Sequence, residues 1–148
     1  MFKNSVSIKQ VEYWFPKNTK KIFKTELNKI NWHEISAKID DTYENLQLNR
    51  MCRINYNEIL ISGGVNSNSD EMSKKVYYFK SDQVCRKADM INQRSIHATT
   101  IVGNFIYVCG GQKSYGCFIS ECERYDIQEN KWSPITNMNY GKFVILLS

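Results

Sequence analysis

Several features are scarce in this chain, and each scarcity excludes something. The longest purely apolar stretch, Phe143 to Leu147, is far shorter than the roughly 18 residues of a membrane helix. The opening Met1-Phe2-Lys3-Asn4-Ser5 lacks the apolar core of a secretory signal. No membrane association is therefore expected, and the setting expected is intracellular, in the cytoplasm. Histidine occurs twice, as His33 and His97, and no Cys-x-x-Cys pair occurs. Structural zinc needs four ligands at tighter spacing, so no metal and no cofactor are expected. The five cysteines, Cys52, Cys85, Cys109, Cys117 and Cys122, are read as reduced, mostly packed thiols. No third group lines up to orient a cysteine–histidine pair, so no catalytic residue is assigned.

Charge of one sign is not concentrated either. The net charge of +5 is spread out, and lysine outnumbers arginine fifteen to five, which disfavours a bidentate phosphate reader. The densest basic stretch, 17–24, holds Lys20, Lys21 and Lys24 with Phe15 and Phe23 nearby. A nucleic-acid surface would want stacking positions on a basic face; a solvated turn before a strand is the simpler reading, and no nucleic acid is expected. What remains is a globular composition, 13% aromatic and 24% charged, in 148 residues. That suffices for one ordinary domain and not for a barrel enzyme of about 250 residues.

The chain does contain a repeat. Residues 54–64, INYNEILISGG, lie over 101–111, IVGNFIYVCGG, at a spacing of 47. Carried on at that spacing, Tyr78 falls on Tyr125 and Cys85 on Trp132; after one insertion Met90 pairs with Met138 and Arg94 with Lys142. Each unit reads as four short strands. In the second these are Ala98 to Val102, Phe105 to Cys109, Phe118 to Tyr125 and a strand opened by Asn130-Lys131-Trp132, with a polar loop from Gln112 to Gly116. In the first they are Met51 to Tyr56, Glu58 to Ser62, Lys75 to Phe79 and Gln83 to Lys87, with a loop from Val65 to Lys74. The paired glycines end strands where the backbone needs φ > 0 or a close neighbour. No helix follows them, which argues against a phosphate loop. Four-stranded units repeating every 40–50 residues are the mark of propeller blades, since one blade cannot bury both faces.

The second unit resembles a kelch repeat. It has Arg94, Ile106-Tyr107, Gly110-Gly111, Tyr125-Asp126, Asn130-x-Trp132 and Met138 in the order of that pattern. The first unit keeps Gly63-Gly64, Tyr78 and Met90, but has Cys85 where tryptophan is usual, and its arginine position falls on Gln47. The resemblance implies an all-β chain of four-stranded antiparallel kelch blades forming an incomplete, open β-propeller. Residues 1–48 are a degenerate partial blade and linker, with Trp32 as its tryptophan. Two repeats follow, 49–93 and 94–141, and 142–148 is the first strand of a next blade. About three blades leave two unprotected faces, open to self-association.

The resemblance also implies a protein-interaction module, of the kind that forms the partner-binding part of an adaptor, contacting a protein partner through loops at one mouth of the propeller. By position these are Val65, Asn66 and Ser67 in the first unit and Arg94, Gln112, Lys113, Ser114 and Tyr115 in the second. Arg94 can clamp an acidic side chain or pair with backbone; the loops can equally be solvated turns. Gly63, Gly64, Tyr78, Gly110, Gly111, Tyr125 and Trp132 are the structural motif. The alternatives are a truncated fragment without independent activity and a kelch-propeller enzyme. A copper oxidase of that kind needs several converging His and Tyr ligands, which two histidines do not readily supply.

Overall fold

A computed structural model describes residues 11–14, 21–26, 33–36, 38–39, 43–44, 46–66 and 68–141. The fourteen strands are β1 (Val11–Trp14), β2 (Ile22–Glu26), β3 (His33–Ile35), β4 (Lys38–Ile39), β5 (Arg50–Asn55), β6 (Glu58–Ser62), β7 (Val76–Lys80), β8 (Gln83–Lys87), β9 (Ala98–Val102), β10 (Phe105–Cys109), β11 (Gln112–Ser114), β12 (Cys117–Phe118), β13 (Cys122–Asp126) and β14 (Lys131–Ile135). No helix occurs among the described residues. Strands β5 to β8 form one antiparallel blade and β9, β10, β13 and β14 the next; β1 to β3 form a three-stranded sheet before them. Among the described residues the sheets do not close into a ring.

Alternation along the strands builds two cores. On β6, Ile59 and Ile61 join Tyr77, Phe79 and Val84 in a cluster that also takes Ile22 and Tyr43. Leu60, on the opposite face, joins Cys52, Val76 and Met90 against Ile106, Val108, Tyr125 and Trp132 of the second blade. One strand thus serves two blade interfaces, because successive side chains point to opposite faces. At the β7–β8 turn Ser81 and Asp82 have φ of 49° and 58°, a tight hairpin with both central residues left-handed. The longer β13–β14 turn is held by Asp126, whose carboxylate accepts from the amides of Gln128 and Glu129 at 2.9 and 3.0 Å.

The blades correspond differently from the constant spacing read in the sequence. Ile59 pairs with Phe79 and Phe79 with Val84; Ile106 pairs with Tyr125 and Tyr125 with Trp132. Phe79, not Tyr78, therefore occupies the place of Tyr125, and Val84, not Cys85, that of Trp132. Tyr78 faces the other way and donates to Glu58 at 2.6 Å. The chain between glycine pair and third strand is one residue longer in the first blade, and its last turn is two residues shorter. These opposing length changes hide behind the constant spacing. Met90 and Met138 do match: their amides donate to Lys74 O and Ser120 O, each at 2.9 Å.

Two other segments have pairing of their own. Within 36–48, a stretch of polar composition, β4 pairs parallel with the edge of β8, and Tyr43 and Leu46 are buried. The stretch from Gln112 is not an irregular loop, nor does the third strand begin at Phe118. Strands β11 and β12 make a separate hairpin, and the blade strand starts at Cys122. Trp32, Ser67 and residues 142–148 lie outside the described residues.

Candidate partner-binding loops

The loops after the glycine pairs and the segments entering each blade share one end of the blades. Ser95 and Gln112 exchange two backbone hydrogen bonds of 2.9 Å; Gln47 and Val65 do the same in the first blade at 3.0 and 2.7 Å. The residue after each pairing segment, Ile96 or Leu48, is left-handed at φ 52° and 56°. By this correspondence the place of Arg94 is taken in the first blade by Leu46, not Gln47.

Arg94 requires a correction as a contact residue. Its side chain is 0% exposed. Nη1 donates to Gly110 O at 2.8 Å and Glu121 O at 2.9 Å, and Nη2 to Glu123 Oε1 at 2.6 Å. Glu123, 1% exposed, also accepts from the amides of Ile91 and Asn92 at 2.6 and 3.2 Å. Burial pushes the guanidinium pKa down, against the pull of Glu123, yet arginine stays charged. A buried charge survives only when paired and hydrogen-bonded, and here pairing and hydrogen bonding together hold the base of the loop. Glu123 is the residue that reading the sequence misses: a charged residue in an apolar strand position was its one signal.

His97 sits between the glycine pairs. Its Nε2 meets Ser62 Oγ at 2.9 Å, and its backbone oxygen accepts from Arg50 Nε at 2.7 Å. A Cβ on Gly111 would fall 2.5 Å from Ser95 O and 2.9 Å from His97 Cβ; φ there is 96°. Glycine is needed at that spot because the next segment runs directly against the backbone. Burial first, then the charges of Arg94 and Arg50, push the His97 pKa down to about 3. The folded state therefore refuses a proton that the unfolded chain accepts below about pH 6.5. Stability contributed by neutral His97 is fully present above that value and is lost as pH falls toward 3. Urea melts should show about 2 kcal/mol lost between pH 7 and pH 5 from this group. A His97→Gln variant should lose that component; an unchanged slope would count against it.

The remaining candidates divide by exposure. Val65 is half-buried and bridges to Met72 as well as Gln47. Asn66 shapes its own turn, accepting from the Asn68 amide at 2.9 Å. Gln112 is half-buried in the Ser95 pairing, whereas Lys113, Ser114 and Tyr115 are exposed on the β11–β12 hairpin. Tyr115 is 97% exposed. Gln93 Nε2 donates to Lys113 O at 3.3 Å, so Gln93 joins the surface. Of the structural motif, Gly63, Gly64, Gly110 and Gly111 all have positive φ. Tyr125 and Trp132 form an interblade clasp. Trp132 Nε1 donates to Ala88 O at 2.8 Å, Tyr125 OH to Asn130 Oδ1 at 2.8 Å, and the same Asn130 oxygen accepts from the Ala88 amide at 3.0 Å.

Among the cysteines, Cys109 and Cys122 are joined as a disulfide, with Cα atoms 4.2 Å apart. This corrects the expectation of five reduced thiols. Spacing along the chain says nothing of it, whereas strand pairing places the two residues directly opposite each other. Cys52 is a buried free thiol, and Cys85 and Cys117 are exposed. Among the described residues no three His, Cys, Asp or Glu side chains gather as metal ligands.

Meandering four-stranded blades packed face to face through apolar cores make this a propeller-type β protein. The Kelch motif matches residues 93–139, the span of the buried Arg94, the glycine pair and the clasp, so the second blade is similar to a kelch repeat. It is 32% identical over 85 residues to Kelch-like protein 23 of Homo sapiens, covering 56% of this chain and 15% of that protein. It is 36% identical over 73 residues to Kelch-like protein 15 of Danio rerio, covering 48% and 12%. The chain thus spans a small fraction of the curated relatives it matches. In fold it is similar to the solved structure of YjhT, with TM-score 0.67 and 12% identity over 80% of this chain and 44% of that one.

Proposed function

We propose that this chain is a protein-interaction module, the partner-binding part of an adaptor, which docks a protein through the loops at the glycine-pair end of its blades. The observation that carries this reading is the β11–β12 hairpin. It presents Tyr115, Lys113 and Ser114 to solvent on a base held by the Arg94–Glu123 pair. A rigid sheet carrying exposed loops is the usual arrangement for recognition, and tyrosine supplies large contact area at low entropic cost. Asp70 and Glu71 on the first-blade loop are also exposed. The charge of this end is therefore mixed, which suits a protein partner better than a phosphate backbone.

The test is affinity capture with wild-type, Tyr115→Ala and Tyr56→Ala chains, each checked for an unchanged melting temperature. Tyr56, 42% exposed, lies in the β5–β6 turn at the opposite end of the blades. Tyr115→Ala should weaken saturable binding of a captured protein at least tenfold, while Tyr56→Ala binds as wild type. Equal binding by Tyr115→Ala and wild type, or the larger loss with Tyr56→Ala, would remove the hairpin from the interface.

A further inference from the structure

The β11–β12 hairpin leaves and rejoins the second blade between Cys109 and Cys122. These residues face each other across β10 and β13. The Gly110 amide donates to Glu121 O at 3.1 Å in the next pair, so the cysteines occupy the non-hydrogen-bonded position, where facing side chains come closest. Their bond closes segment 110–121 into a loop. The two residues just inside it, Gly110 and Glu121, are those whose carbonyls accept from Arg94. Hydrogen bonds that tie the segment to the entering strand are the Ser95–Gln112 exchange and Gln93 to Lys113 O. Cys122 is 4% exposed. Cys109, however, lines an open cavity of about 310 Å³ together with Ala98, Thr99, Thr100 and Tyr107. The bond therefore has open space on its Cys109 side.

We propose that the Cys109–Cys122 disulfide is a redox-sensitive staple that holds the β11–β12 hairpin in place and is released by a small dithiol entering the cavity beside Cys109. One reductant thiolate attacks Cys109 Sγ, the S–S bond breaks, and Cys122 leaves as a thiolate and takes up a proton. The second reductant thiolate then attacks the mixed disulfide. It frees the Cys109 thiolate, which is protonated, and the reductant departs as its cyclic disulfide. Two electrons and two protons have passed to the protein; a small-molecule disulfide reverses the exchange. Opening the loop returns conformational freedom to segment 110–121. The consequence for partner binding rests on the reading of the hairpin as docking surface; the staple itself does not.

The chain, purified without reductant, is denatured and alkylated with iodoacetamide. Three carbamidomethyl groups are expected, on Cys52, Cys85 and Cys117, rising to five after dithiothreitol; five without reductant overturn the proposal. Hydrogen exchange then follows peptides covering 112–118 in the folded chain. Dithiothreitol should speed exchange there at least tenfold while peptides of β6 and β7 stay protected. The Cys109→Ser/Cys122→Ser variant should exchange fast with or without reductant. Opening shown by alkylation with no change in hairpin exchange overturns the staple. Partner capture indifferent to Tyr115→Ala, with exchange still responding to reductant, overturns the docking reading and leaves the staple standing.

Discussion

Arg94→Met is expected to destabilise the chain by about 3–5 kcal/mol in urea melts, enough to unfold the second blade in a marginally stable protein. The substitution keeps much of the packing volume. It removes the guanidinium that pairs with Glu123, a carboxylate 1% exposed, and the donor to Gly110 O and Glu121 O. A buried carboxylate without its cation, plus Gly110 O without its donor and Glu121 O left with the Gly110 amide alone, accounts for the magnitude. Glu123→Gln should cost less, about 1–3 kcal/mol. Its one amide oxygen can replace only one of the two carboxylate oxygens that accept from Ile91 and from Asn92, leaving a donor facing the amide NH2, while Arg94 keeps both carbonyls. A loss below about 0.5 kcal/mol for Arg94→Met would mean that the ion pair adds nothing to the fold.

The second large effect concerns the first glycine pair. Gly63→Ala is expected to cost about 3 kcal/mol, and Gly103→Ala only about 1 kcal/mol. Both glycines are left-handed, at φ 62° and 59°, so each alanine bears the same conformational penalty. At Gly103 a Cβ would meet nothing within 4 Å. At Gly63 it would run into the backbone oxygen of Arg94 and approach His97 Cε1 to 3.0 Å, where the second blade's entering segment crosses the first. Backbone cannot give way as a flexible side chain can, so the clash displaces one blade from the other. Parallel melting of the two variants separates crowding from conformational preference; equal losses would reduce the glycine's role to its dihedral angle.

Much of this fold was legible because its signals are local. Strands Glu58–Ser62, Gln83–Lys87, Ala98–Val102 and Phe105–Cys109 fall where alternation and turn residues place them, and the glycine pairs are left-handed as expected. The candidate site was legible only in part. Lys113, Ser114 and Tyr115 are exposed on a hairpin; Arg94 is internal. An arginine in sequence carries no sign of whether it faces solvent or a buried carboxylate, since that depends on a residue 29 positions away. The equivalence of Tyr78 with Tyr125 failed because length changes in a loop and a turn offset each other in the linear count.

By itself, the sequence determined the repeated four-strand unit, its glycine-marked strand ends and the class of β protein it makes. Periodicity, turn chemistry and left-handed positions act over a few residues and can be read without partners. The tertiary structure alone decided which residues occupy equivalent places in the two blades, that Arg94 supports the loop from beneath, and that Cys109 lies against Cys122. It also showed that segment 36–48 seats Tyr43 in the core. Each of those depends on strand pairing between distant residues, where a shift of one position turns every side chain to the opposite face.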